Sequence, residues 1–173
     1  AIISPNDPGA MVQYAEECRT LGIPYIWDPG QQVARMEGDQ LKDGTIGAAI
    51  VICNDYEYEI LKQKTGLTEE EILRHCQALI VTKGEHGSTI ITVDSRTDVA
   101  AVTPTRIVDR TGVGDAFRGG VMKGIAMGLG YQQSAQLGSV AATYALEHLG
   151  GQSHSYSFRV IMDRYEQLFS PLT

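Results

Sequence analysis

Four short apolar runs, each followed by a stretch of helical or turn-rich sequence, decide what this chain can fold into. They lie at residues 1–4, 24–27, 48–53 and 78–82. The third, Ala-Ala-Ile-Val-Ile-Cys, is apolar without alternation, as a strand covered on both faces must be. After the first run, Asn6-Asp7-Pro8 joins a capping side chain to a proline suited to a first helical turn. Met11, Tyr14, Ala15, Cys18 and Leu21 then recur at helical spacing until Gly22. Asp28-Pro29-Gly30 marks a turn, and residues 31–47 predict one or two short helices. A helix is expected from Asn54 through Lys64 and another from Thr68 to about Gln77. Strands alternating with helices imply parallel strands with helices on both faces, an α/β fold.

The second half adds a hairpin or meander, with strands at 88–93 and 99–102 joined by a turn at 94–98. Three helices are expected, at about 113–129, 132–149 and 157–169. In open α/β sheets ligands bind beyond the carboxyl ends of the strands. Three polar or glycine-bearing motifs fall at such places: Asn54, Lys83-Gly84 and the run from Gly112 to Asp115.

Composition removes several classes of function. The chain has 173 residues, 43% hydrophobic and 20% charged, as expected of one globular domain. Its net charge is −7 and no Lys/Arg block occurs, so nucleic acid and anionic membrane are poor partners. Three scattered cysteines, Cys18, Cys53 and Cys76, fit reduced thiols of a cytoplasmic protein and offer no C-x-x-C zinc pattern. No apolar run reaches membrane-spanning length. The first residues already read as a strand, which leads us to expect the C-terminal portion of a larger protein.

The chemistry centres on Asp109-Arg110-Thr111-Gly112-Val113-Gly114-Asp115-Ala116-Phe117. Two glycines precede an aspartate at the start of a helical pattern. Helix-start N–H groups favour an anion, and the aspartate can accept a proton. The plain alternative is a tight turn with an acid placed well for the helix dipole. The run fits neither of the two common phosphate-loop patterns. It resembles the second signature of the PfkB, or ribokinase-like, carbohydrate kinases, D-T-x-G-A-G-D-x-F. Asp109, Gly112, Gly114, Asp115 and Phe117 match its fixed positions and Thr111 fills the free one; Val113 stands where the family usually has Ala, and Arg110 where it has Thr.

The resemblance implies a layered α/β/α domain over 1–173 with a mostly parallel sheet, lacking the family's N-terminal half and β lid. It implies an ATP-dependent kinase acting on a hydroxymethyl group, with Asp115 as base and Gly112, Val113 and Gly114 forming an anion hole. The acceptor would be a sugar or nucleoside, with adenosine ahead of ribose or fructose. Asn54 and Glu57 match the family's N-x-x-E element, which implies an outer-shell Mg²⁺ role. By spacing alone they are an N-cap and its capping-box partner. Thr82, Gly84 and Gly87 match a T-x-G-x-x-G nucleotide loop, and Lys83 lies within it. The residues alone allow an ordinary hairpin loop. Asp109 and Thr111 are expected to bind K⁺ or to brace the loop. Ala141 and Ala145 would lie near adenine, or serve helix packing. Arg118 either reaches phosphate or pairs with a carboxylate, with the pair favoured, and His154 has no assigned role. The missing half, or a second copy, is the expected protein partner. A nucleotide-binding fragment inactive by itself is the competing reading; a dinucleotide oxidoreductase lacks its fingerprint.

Overall fold

The computed structural model describes residues 1–169. Six strands form one sheet in the order β1 (Ile2–Ile3), β2 (Ile26–Trp27), β3 (Ile50–Asn54), β4 (Ala78–Thr82), β5 (Ser88–Ile91) and β6 (Arg96–Val99). The first four are parallel, in the registers Ile2 with Ile26, Ile26 with Ile50, and Ile50 with Ala78. Among the described residues seven α-helices accompany them: α1 (Pro8–Leu21), α2 (Gly38–Thr45), α3 (Asp55–Thr65), α4 (Glu69–His75), α5 (Val113–Ala126), α6 (Tyr131–Leu146) and α7 (Phe158–Leu168). The layered α/β architecture with a mostly parallel sheet is the one the alternation predicts.

Local chemistry sets the boundaries. Asp7 caps α1 by accepting a hydrogen bond from Ala10 N at 3.0 Å, with Pro8 in the first turn. Thr68 and Glu71 form a capping box at α4. Residues 31–47 resolve into a 3-10 turn, Gly30–Ala34, and α2. Two expectations need correction. The last strand spans Arg96–Val99 rather than 99–102, because the preceding turn is short. Thr92 N donates to Ser95 O at 2.8 Å and Ser95 N to Thr92 Oγ1 at 3.1 Å, so pairing resumes at once. Helix α5 stops at Ala126 instead of 129. Gly128 takes φ +80°, and Leu129 N bonds back to Gly124 O at 3.1 Å, a Schellman-type ending.

The residues gather into two compact units. One holds Ala1–Gly84 and Thr89–Thr97; the other holds Glu85–Ser88 and the described residues from Asp98 onward. The core of the first unit includes Trp27, Met11, Met36, Leu41, Val51, Leu61 and Leu79, all fully buried. Gly44 lies flat on the Trp27 ring, where a Cβ would come within 2.1 Å of Cζ2. In the second unit, Val102, Leu137, Val140, Ala141, Ile161 and Tyr165 form the core between α6 and α7. No described helix is long and apolar enough to cross a membrane.

Candidate active site

In the first unit, parallel register brings two of the sequence motifs side by side. Asn54 ends β3 opposite Thr82, which ends β4. Thr82 Oγ1 donates to Cys53 O at 3.5 Å, Lys83 follows, and Gly84 opens a single 3-10 turn, Gly84–His86. The adjacency follows from two five-residue strands that end level at the carboxyl edge of the sheet. Asn54 is the N-cap of α3: its Oδ1 accepts from Glu57 N at 2.7 Å, and Glu57 Oε2 accepts from Asn54 N at 2.8 Å. The capping box is therefore formed. It uses one oxygen of each side chain and leaves Asn54 Nδ2 and Glu57 Oε1 outside it. Among the described residues no group of three or more His, Cys, Asp or Glu could hold a metal ion. One carboxylate oxygen beside an amide fits Mg²⁺ held mainly by water and phosphate, the usual manner of that ion.

The second unit carries the glycine run. Asp109 prepares it. Its Oδ1 accepts from Thr111 N at 2.9 Å and its Oδ2 from Gly150 N at 2.8 Å. These N–H groups, that of Thr111 first, hold the Asp109 carboxyl below its ordinary range. The bracing role is thus present, and two carboxylate oxygens beside the Thr111 hydroxyl are also of the right chemistry for K⁺. Gly112 follows with φ +74° and ψ 4°, a left-handed conformation that also sets its Cα against Gly151. A Cβ there would fall 2.7 Å from Gly151 Cα. Glycine at 112 thus has both a torsional and a steric cause.

Helix α5 starts at Val113, and its first backbone bond runs from Ala116 N to Gly112 O at 2.9 Å. The N–H groups of Val113, Gly114 and Asp115 lie ahead of that ladder, at the positive end of a 14-residue helix. Asp115 projects outward, its side chain 86% exposed. Arg118 Nη1 approaches Asp115 Oδ1 at 3.5 Å, the carboxylate pairing favoured from sequence. Phe117 is buried and packs on the α6 backbone at Gly138.

Two arrangements that fix this loop were not read from sequence. The first ties the approach to the loop to the end of α6. Val108 N donates to Leu146 O at 2.8 Å. Glu147 Oε1 accepts from Thr105 N at 2.7 Å and from Thr105 Oγ1 at 3.1 Å. The same carboxylate takes a bidentate pair from Arg164, at 2.9 and 2.8 Å. The Arg164 guanidinium, more than the Thr105 donors, lowers the Glu147 carboxyl to about 2. Separations of 42 and 17 residues give no local signal for these partners. The second is the crossing of α5 and α6. Cβ atoms on Gly120 and Gly124 would meet Gly138 Cα and Ser134 Oγ at 2.6 Å. The four-residue spacing of Gly120 with Gly124, and of Ser134 with Gly138, was the available signal.

The remaining predicted site residues have plain surroundings. Gly87, at φ +86°, faces Val99 O, which a Cβ would approach to 2.0 Å. Ala141 and Ala145 are 1% and 0% exposed, and Ala141 belongs to the core with Val102 and Tyr165. Helix packing accounts for both methyl groups. His154 stacks on Tyr156, with ring centroids 5.8 Å apart.

Known proteins resemble the chain over most of its length. The profile of the pfkB family carbohydrate kinases matches residues 1–157. The nucleoside kinase of Methanocaldococcus jannaschii is 26% identical over 165 residues, covering 95% of this chain and 54% of that protein. The structure of Burkholderia thailandensis nucleoside kinase in complex with inosine is 38% identical, with a TM-score of 0.94. It covers 98% of this chain and 55% of that one. A third, the M. jannaschii nucleoside kinase structure, shares the fold at a TM-score of 0.90 and 24% identity over 96% of this chain and 55% of that one. The chain therefore spans about half the length of these relatives. With the profile covering all but the last helix and the D-x-T-G-x-G-D-x-F run in place, the chain belongs to the pfkB family of carbohydrate kinases.

Proposed function

We propose that the protein containing this chain is an ATP-dependent kinase that phosphorylates a hydroxymethyl group of a nucleoside, with sugars the second class. The observation that carries the reading is the place of Asp115. It follows a left-handed Gly112, stands in the first turn of α5 beside unladdered N–H groups, and holds its carboxylate in solvent. A base and an anion-favouring helix start are thus adjacent in the chain, as phosphoryl transfer needs.

In the proposed reaction the acceptor hydroxyl gives its proton to an oxygen of Asp115. The alkoxide oxygen forms a bond to the γ-phosphorus while the bond from that phosphorus to the β,γ-bridging oxygen breaks. ADP leaves with the electron pair. The Gly112, Val113 and Gly114 segment stabilises the transferring group through N–H groups and the helix dipole. Thr82, Lys83 and Gly84 serve the nucleotide phosphates. Asn54 and Glu57 would order the water around Mg²⁺, which would supply charge neutralisation for the phosphates. Ala141 and Ala145 back the adenine pocket from the core. A nucleoside acceptor is favoured by the 38% identity to a nucleoside kinase whose structure holds inosine.

The test is phosphoryl transfer by the full-length gene product with ATP, Mg²⁺ and a panel of nucleosides and sugars, in K⁺ and in Na⁺. Asp115→Asn is expected to abolish turnover and leave ATP binding intact. Equal loss of both would make Asp115 structural, and no turnover by the wild-type protein under any condition sinks the enzyme reading. A K⁺ requirement removed by Asp109→Ala would assign the monovalent cation to Asp109 and Thr111.

A further inference from the structure

The stretch that carries the chemistry has no hold on the core. Val102 is buried with Leu137 and Val140 of α6, and the next buried residue is Phe117 in α5. From residue 103 to residue 116 no residue is buried. Until α5 begins at Val113, no helix or strand ladder holds the segment either. An exposed irregular segment opens locally at little cost. Phosphoryl transfer tolerates little of this, since a misplacement of about 1 Å can cost about 100-fold in rate.

Polar contacts take the place of a core, and they fall in a row along the end of α6. Thr143 Oγ1 donates to Val102 O at 3.4 Å. Thr105 N and Oγ1 both donate to Glu147 Oε1, at 2.7 and 3.1 Å. Val108 N donates to Leu146 O at 2.8 Å, and Gly150 N to Asp109 Oδ2 at 2.8 Å. Among these, Glu147 is the charged side chain that reaches the segment from outside it.

Stability alone does not call for a carboxylate at 147. It is the C-cap of α6, where the helix dipole disfavours an anion. It is also the one buried acid among the described residues of this unit. Arg164 offsets both costs with its bidentate pair. Yet packed apolar side chains in place of such a pair are often as stable or more so. What apolar groups cannot supply is a directional acceptor for the Thr105 N–H and hydroxyl.

We propose that Glu147 is a positioning residue for transfer: acting through Thr105, it holds the approach segment so that the run from Gly112 to Asp115 meets the transferring phosphoryl group; this rests on the kinase reading above.

The experiment uses the full-length enzyme. Glu147→Met alone leaves Arg164 without its anion and should lower melting temperature and kcat together. Adding Arg164→Met replaces the pair by apolar side chains and should return the melting temperature to near that of wild type. It does not return the acceptor for Thr105, so kcat should stay about 100-fold below wild type, with KM for ATP and acceptor within about twofold. Thr105→Val leaves the ion pair intact and removes one donor to an ionised acceptor. Its kcat should fall about tenfold at an unchanged melting temperature, and Thr105→Ser should match wild type. Should the double variant fail to fold, the two Thr105 variants decide. A kcat that returns to within about twofold of wild type along with the melting temperature makes Glu147 structural and overturns the proposal. A Thr105→Val kcat within about twofold of wild type overturns it too. If Asp115→Asn abolishes transfer while these variants are neutral, the kinase reading stands and this inference falls. A wild-type enzyme without turnover overturns both.

Discussion

Replacing Glu147 by glutamine should cost about 3 kcal/mol at neutral pH, and the cost should disappear in acid. The magnitude comes from two directions. A carboxyl lowered from 4.5 to about 2 favours the ionised folded form by about 3 kcal/mol, at 1.36 kcal/mol per pH unit. Removing one partner of a buried ion pair costs about 3–5 kcal/mol, and the residual exposure of these side chains, 10% and 18%, places this pair at the lower end. The sign follows from the lowered value. Above pH 4.5 the carboxylate is ionised in both states and the full stabilisation is present. As pH falls from 4.5 toward 2, the unfolded chain takes up the proton first and the stabilisation drains away. Below about 2 it is gone. Urea unfolding of wild type and Glu147→Gln from pH 7 to pH 2 measures this directly. At pH 7 the melting temperature should drop by about 6–12 °C, at about 2–4 °C per kcal/mol for a chain of this size. A gap between the two proteins that stays constant across this window would refute the reasoning. So would identical unfolding at pH 7.

Other changes test the packing around the glycine run. Gly138→Ala inserts a methyl 2.8 Å from Phe117 O and should destabilise by about 1–3 kcal/mol; an unchanged melting temperature would show that the α5–α6 crossing can open without cost. Gly112→Ala combines a left-handed φ with a 2.7 Å approach to Gly151 and should lower both stability and kcat, whereas Gly119→Ala, on an exposed face of α5 where nothing lies within 4 Å, should leave kcat unchanged and raise stability by about 1 kcal/mol through helix propensity. Cys53 and Cys76 are buried, and burial pushes the Cys76 thiol up to about 12, so a thiol reagent should label Cys18 promptly and the other two only on unfolding. Rapid labelling of all three in the native protein would contradict this.

The elements of the fold were readable because they rest on local rules. Asp7-Pro8, Thr68 with Glu71, and Gly22 announce their helix ends within four residues. Apolar runs at 48–53 and 78–82 announce buried strands, and the parallel register then sets Asn54 against Thr82. The catalytic candidate Asp115 was readable for the same reason, since its setting is contiguous in sequence. What was not readable depends on distant partners. Nothing near Glu147 names Thr105 or Arg164, and nothing near Asp109 names Gly150. The turn at Thr92 and Ser95 comes earlier than the sequence predicts because two hydroxyl side chains close it.

The contact of Gly120 with Gly138 has a mechanical consequence. Where helices meet through side chains, small displacements are absorbed by changes of rotamer. Here bare main chain meets bare main chain, and Gly112 meets Gly151 in the same way. Such joints have no compliant layer. A push on the first turn of α5 is passed to α6 undamped, and α6 carries at its far end the Leu146 carbonyl that holds Val108. The two helices thus behave as a stiff frame rather than as independent rods. Hydrogen exchange should register this as joint protection of α5 and α6, with amides in both helices opening together.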